Sequence, residues 1–130
     1  MDAQTLVDER GELWLALAPL WLEREPGERD YARMIEVIER HDLTVKELEW
    51  VFRLELAPVL GRQQMSMVGE WRRFDDYKLM KQLVAHNLRL TGWRRRSWAL
   101  FSGLTTMMTR HRWNELIARL MAERGELPHG

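Results

Sequence analysis

The sequence predicts an all-α fold, a single compact domain of five or six short helices. Three observations carry this reading. Apolar residues recur at three- and four-residue spacing along nearly the whole chain, and no apolar–polar alternation survives more than a few residues. Breakers such as Pro26-Gly27 and Thr91-Gly92 separate the periodic stretches. The chain has 130 residues, 45% apolar and 31% charged, which suits one soluble domain able to bury a core without disulfides or metals.

The elements follow in order. A first helix is predicted from Thr5 to Glu23, with Leu13, Leu17, Leu20 and Trp21 on one face and a kink or break at Pro19. A second runs from Arg29 to Arg40 and buries Tyr31, Met34, Ile35 and Ile38. His41 sits at its C-terminal end, where a histidine suits the helix dipole. Thr44 opens the third with Glu47 three residues on, a capping box. Leu48, Val51 and Phe52 form its inner face, widened by Trp50 and Leu54, and Pro58 and Gly61 are expected to end it. A fourth helix starts at Asp75 or Asp76 and turns Met80, Leu83, Val84 and Leu88 inward. A fifth spans 94–109, with Leu100, Phe101, Leu104, Met107 and Met108 inside. A sixth spans 112–124 on Trp113, Leu116, Ile117, Leu120 and Met121. The tail, 125–130, is expected to fray.

Composition excludes several functions. With no cysteine there is no disulfide, thiol catalysis or cysteine-held metal. The apolar run Leu13–Leu22 has ten residues against the about 20 of a membrane span. The acidic N-terminus lacks the basic region and cleavage site of a signal peptide, so a cytoplasmic protein is expected.

The net charge of zero hides an asymmetry. Residues 1–61 carry 14 acids and 7 bases, residues 62–130 carry 6 acids and 13 bases, and 77–114 hold eight bases and no acid. Two readings stand: the halves pack together and neutralise each other, or the basic half is a functional face.

Catalytic groups are not evident. His41, His86, His111 and His129 form no metal-ligand spacing, and Ser66, Ser97 and Ser102 lack a nucleophile-elbow context. Ser102-Gly103 inside a helical pattern marks close helix packing. No glycine-rich phosphate loop exists. His86 reads as a solvent-side neighbour, a phosphate contact or, less often, a general base. Glu70, in an apolar surrounding, reads as a partner of Arg62, Arg72 or Arg73, with a desolvated general acid as the alternative. No enzyme activity, metal or cofactor is therefore expected.

Seven tryptophans is a high count for this length. Trp14, Trp21, Trp50 and Trp113 fall on apolar stripes and read as core. Trp71, Trp93 and Trp98 interleave with arginines in "EWRRF" and "GWRRRSW". That pattern serves local cation–π packing, a protein hot spot or a nucleic-acid stacking platform.

The strings "WLAL" (14–17), "TVKELE" (44–49), "ELAPV" (55–59) and "MVGEWRRFD" (67–75) together resemble a family of small uncharacterised bacterial proteins, a domain of unknown function. Its pattern runs W-L-A-L, S/T-x-x-E-L-E, E-x-A-P-V and V-A-G-E-W-x-x-F-D. "MVGEW" here departs slightly from the last. The resemblance covers Trp14 to Leu83. It implies a bacterial origin, a helical fold and a signature cluster of Glu55, Pro58, Gly69, Glu70, Trp71, Phe74 and Asp75. It implies no activity, catalytic residue or cofactor. Residues 65–78 then read as a structured joint between the acidic and basic halves.

The leading expectation is a non-catalytic protein-binding module that neutralises or regulates a partner, in the manner of an immunity protein or antitoxin. Small helical bacterial proteins without catalytic groups include many of these, an argument from association. Its acidic face, Glu23, Glu25, Glu28, Asp30, Glu36 and Glu39, would suit a basic toxin or effector, especially a nuclease. The alternative is nucleic-acid binding through a basic and aromatic face of Lys78, Lys81, Arg89, Trp93, Arg94, Arg95, Arg96, Arg110 and Arg112, with steep salt dependence. A third reading is homo-oligomerisation through Trp- and Met-rich faces.

Overall fold

The structure, a computed structural model, describes residues 2–22, 24–66 and 76–125, with residues 63–66 and 105 described by their backbone only. Glu23, Gly69, Glu70, Trp71, Phe74 and Asp75 lie outside the described residues, as do the roles assigned to them. Among the described residues there are six helices and no strand: α1 (Ala3–Trp21), α2 (Glu28–Arg40), α3 (Val45–Ser66), α4 (Asp76–Leu88), α5 (Gly92–Thr105) and α6 (Arg110–Glu123). None of them is long and apolar enough to cross a membrane.

Local chemistry explains most boundaries. The Asp2 carboxylate caps α1 by accepting the Thr5 amide at 2.8 Å. The kink expected at Pro19 takes the form of a tightened 3₁₀ turn over Ala18–Trp21, ended by the extended Leu22. Asp30 accepts the Gly27 amide at 2.8 Å and holds the start of α2. That helix stops at His41, and Asp42 turns the chain away with a left-handed φ of 51°. The capping box of α3 forms as expected: Thr44 Oγ1 accepts the Glu47 amide, and Glu47 accepts the Thr44 amide, each at 3.1 Å.

Helix α3 corrects the expectation that Pro58 and Gly61 end it, because it continues to Ser66. The chain widens into a π-helical segment over Val51–Leu56, where the Ala57 amide reaches back to Phe52 O. In a plain α-helix the Pro58 ring would collide with the carbonyl of Leu54, and Pro58 has no N–H to offer it. Here that carbonyl accepts instead from His86 Nε2 of α4, at 2.8 Å. Asn87 donates to the next carbonyl, Glu55 O, at 3.3 Å. Two side chains of α4 thus satisfy the backbone that the proline and the wide turn release.

The core lies between α1, α2, α3, α4 and α6. At its centre Phe52 stacks on Trp113 (centroids 4.3 Å apart, planes 5° from parallel) and meets Trp21 at 5.6 Å. Trp14, Trp21 and Trp113 are buried as expected. Trp50 is not: it is exposed, with the Arg53 guanidinium 5.8 Å from its ring. Leu88 is likewise exposed rather than inward.

The fifth helix gives the largest correction. Leu100, Phe101 and Leu104 are exposed rather than inside, as are Met107 and Met108, which lie in the turn after the helix, with exposures from 59% at Phe101 to 84% at Leu100. Trp93 is 72% exposed. The buried side of α5 is small and polar: Ser102 and Thr106. Ser102 Oγ donates to Ala99 O at 2.7 Å, and Thr106 Oγ1 to Ser102 O at 2.5 Å, so neither hydroxyl enters the interior unsatisfied. Small side chains let α5 lie against α3, and apart from the half-buried Trp98 the large ones are left exposed. Gly103 belongs to the outer side, with nothing within 4 Å of where its Cβ would be, so it does not mark close helix packing.

Candidate functional site

Among the described residues, three ion pairs tie the acidic half to the basic half. Glu28 receives both terminal nitrogens of Arg119 at 2.7 and 2.8 Å. Glu39 pairs with Arg124 at 2.6 Å. Glu49 pairs with Arg110 at 2.6 Å. Two further members of the acidic face are also engaged: Asp30 with Arg24 at 3.2 Å, and Glu36 with Arg33 and Arg40 at 3.7 and 3.9 Å. Glu25 is exposed. The Arg119 guanidinium holds the Glu28 carboxyl below its usual range.

The basic face divides. Arg110 and Arg112 point into the molecule. Arg110 lies 5.0 Å over the Phe52 ring, and Arg112 donates to Leu20 O and Leu22 O, closing the 3₁₀ end of α1. Lys78, Lys81, Arg89, Arg94, Arg95 and Arg96 stay exposed along α4 and α5. Lys81 rests over Tyr77 at 4.8 Å and Arg94 over Trp93 at 5.5 Å. Lys81, Arg89, Arg94, Arg95 and Arg96 have no carboxylate partner among the described residues.

Two glutamates of α3 act as half-buried anchors, each with an indole and an arginine. Glu55 accepts Trp14 Nε1 at 2.9 Å and Arg10 Nε at 3.1 Å. Glu49 accepts Trp113 Nε1 at 2.5 Å, beside Arg110 and, at 3.0 Å, Arg53. Glu55 was singled out only through the resemblance, and Glu49 was not singled out at all. The readable signal was the pairing of E-L-E with a proline-bearing helix rich in inward positions.

A cleft of about 510 Å³ opens between α3, α4 and α5, lined by Val59, Arg62, Gln82, His86, Arg89 and Trp98, among others. His86 and Trp98 meet edge to face at 5.6 Å, and the Arg62 guanidinium lies 5.6 Å from the Trp98 ring. Burial, more than any neighbouring charge, pushes the His86 pKa down. Because Leu54 O can only accept, His86 Nε2 must carry a proton. Stability tied to this ring is full above about pH 6.5, the unfolded value, and is lost as pH falls toward the lower folded value. Denaturant melts at pH 7.5 and 5.5 should show that loss in the wild type and a smaller one in His86→Gln. No group of three or more His, Asp or Glu among the described residues could hold a metal ion.

Fold and surface together define an all-α protein that presents an outward apolar helix beside an arginine-lined cleft. The chain belongs to the family described as domain of unknown function (DUF7079), whose model matches residues 8–119. The match runs past Leu83 and takes in α5, so the outward helix lies within the family's domain. No curated protein and no solved structure matches the chain.

Proposed function

We propose that the protein is a non-catalytic protein-binding module that docks a partner on the outward face of α5, and so neutralises or regulates it as immunity proteins and antitoxins do. One observation carries this reading: Trp93, Leu100, Phe101 and Leu104 of α5, and Met107 and Met108 of the turn that follows it, are all exposed. Each large apolar side chain left in water forgoes about 1.5–3 kcal/mol relative to burial. A run of them on one helix face is the mark of an interaction surface. Aromatic and methionine side chains beside arginines match the make-up of interface centres. Arg94, Arg95 and Arg96 flank the face, and no acid occurs in 77–114. The fitting partner surface is apolar at its centre and acidic around it. The face proposed from sequence, on α2, is weaker support, since four of its acids already hold arginines of this chain.

The double variant Leu100→Asp/Leu104→Asp should leave thermal stability within about 1 kcal/mol of wild type, because both side chains already face water. Tagged wild type and variant would be recovered from native lysate at moderate salt with nuclease present. A stoichiometric protein held by the wild type and lost by the variant supports the proposal. Sedimentation of the purified chain decides against it if the same residues instead close a homodimer.

Nucleic-acid binding is a second reading, favoured by Lys81, Arg89, Arg94, Arg95 and Arg96, which have no carboxylate partner among the described residues, next to the exposed Trp93. Arg95→Ala/Arg96→Ala should then abolish retention of nucleic acid, and retention should fall steeply with salt.

A further inference from the structure

We infer that the cleft between α3, α4 and α5 binds a small anion of the phosphate class, carrying two or more negative charges. The charge count comes first. Arg62, Arg89 and Arg94 all line the cleft, and among the described residues no carboxylate side chain does. Three guanidinium groups around one partly enclosed space repel each other, and an entering polyanion relieves that repulsion. A cation is excluded by the same sum. A single carboxylate would offset only one of the three charges.

Preorganisation comes second. Arg62 is held twice: its Nε donates to Pro58 O at 2.7 Å, and its guanidinium lies over Trp98. Its terminal N–H groups, without a hydrogen-bond partner among the described residues, form a fork suited to phosphate oxygens. Trp98 is set by His86, and His86 by the Leu54 carbonyl that Pro58 leaves free. The proline, the wide turn and the histidine therefore fix one wall of the cleft. Arg89 and Arg94 stand on either side of the short α4–α5 connection and add two further positive charges to the cleft. Gln82 adds a neutral amide that can both donate and accept.

Size comes third. About 510 Å³ is within the range of small-molecule sites, and Val59, Leu90 and Trp98 give an apolar wall for the body that carries the phosphate. The docking face is separate, since Leu100, Phe101 and Leu104 do not line this cleft.

The test titrates the full chain with pyrophosphate by calorimetry in a low-salt, phosphate-free buffer. One saturable site per chain is expected. Arg62→Ala and Arg89→Ala should each weaken it about tenfold or more, while Lys46→Ala, at the far end of α3, leaves it unchanged. Pyrophosphate should also shift the indole N–H resonance that disappears in Trp98→Phe, a readout that places the ligand in the cleft. Four results would overturn the inference: no saturation at millimolar pyrophosphate, an equal loss in Lys46→Ala, acetate binding as tightly, or a single-stranded oligonucleotide outcompeting pyrophosphate at the same arginines. The last would make the cleft part of a nucleic-acid surface.

Discussion

Phe52→Ala should destabilise the protein by about 3–5 kcal/mol, a large share of the roughly 5–15 kcal/mol that holds a domain of this size together. The ring has no exposure to solvent and lies between Trp21 and Trp113, with Arg110 above it. Its removal leaves a cavity that two indoles on different helices cannot close together. Both are pinned by neighbours: Trp113 through its bond to Glu49, and Trp21 at the 3₁₀ end of α1 that Arg112 closes. The stacked arrangement of Phe52 and Trp113 adds about 0.5–1.5 kcal/mol beyond area alone. Denaturant unfolding followed by tryptophan fluorescence would read both the loss of stability and the altered indole environment. A change below about 1.5 kcal/mol would show that the core collapses around the gap and that the centre is elsewhere.

Glu49→Ala should cost about 3 kcal/mol, although glutamate on a helix surface is ordinarily dispensable. This carboxylate accepts from Trp113, Arg110 and Arg53 together, and its side chain is only 27% exposed. Removing it strands an indole N–H and a guanidinium in a partly dry space, and stranding a partner costs more than the pair contributes. Glu36→Ala is the matched control. Glu36 also touches two arginines, at 3.7 and 3.9 Å, but it is 63% exposed, so the change should stay within about 0.5 kcal/mol. Glu49→Gln should fall between, since it keeps one acceptor and loses the charge. Equal effects at positions 36 and 49 would mean that exposure does not separate these two networks.

Helix starts were readable because capping is local. Thr44 and Glu47 lie three residues apart, and the bonds between them form within one turn. Leu13, Leu17, Leu20 and Trp21, and likewise Trp113, Leu116 and Leu120, were legible as buried because each stripe is apolar on one side and charged on the other. Pro58 was misread for the opposite reason. A proline ends a helix unless something 28 residues away accepts its consequences, and His86 does so. Nothing in the spacing around Pro58 announces that partner.

The cleft was half legible. Arg89, Arg94 and Trp98 stood out as part of a basic, tryptophan-bearing stretch, and His86 was read as a phosphate contact among other roles. Arg62 was read only as a partner for Glu70, because its approach to Trp98 joins α3 to α5 across 36 residues.

The sequence by itself determined that the chain is helical, where most helices begin, and which side of α1, α2 and α6 is apolar, since these follow from interactions within a few residues. Tertiary structure alone decided which way the apolar stripe of α5 faces. A helix with a small polar side and a large apolar side has two ways to meet a core. Periodicity describes the stripe identically in both. Here Ser102 and Thr106 satisfy their own hydroxyls and are buried, so the small side went in, while Leu100, Phe101 and Leu104 remained on the surface. Tertiary structure also decided that much of the opposite charge of the two halves is spent within the molecule, because only folding brings Glu28, Glu39 and Glu49 within reach of Arg119, Arg124 and Arg110.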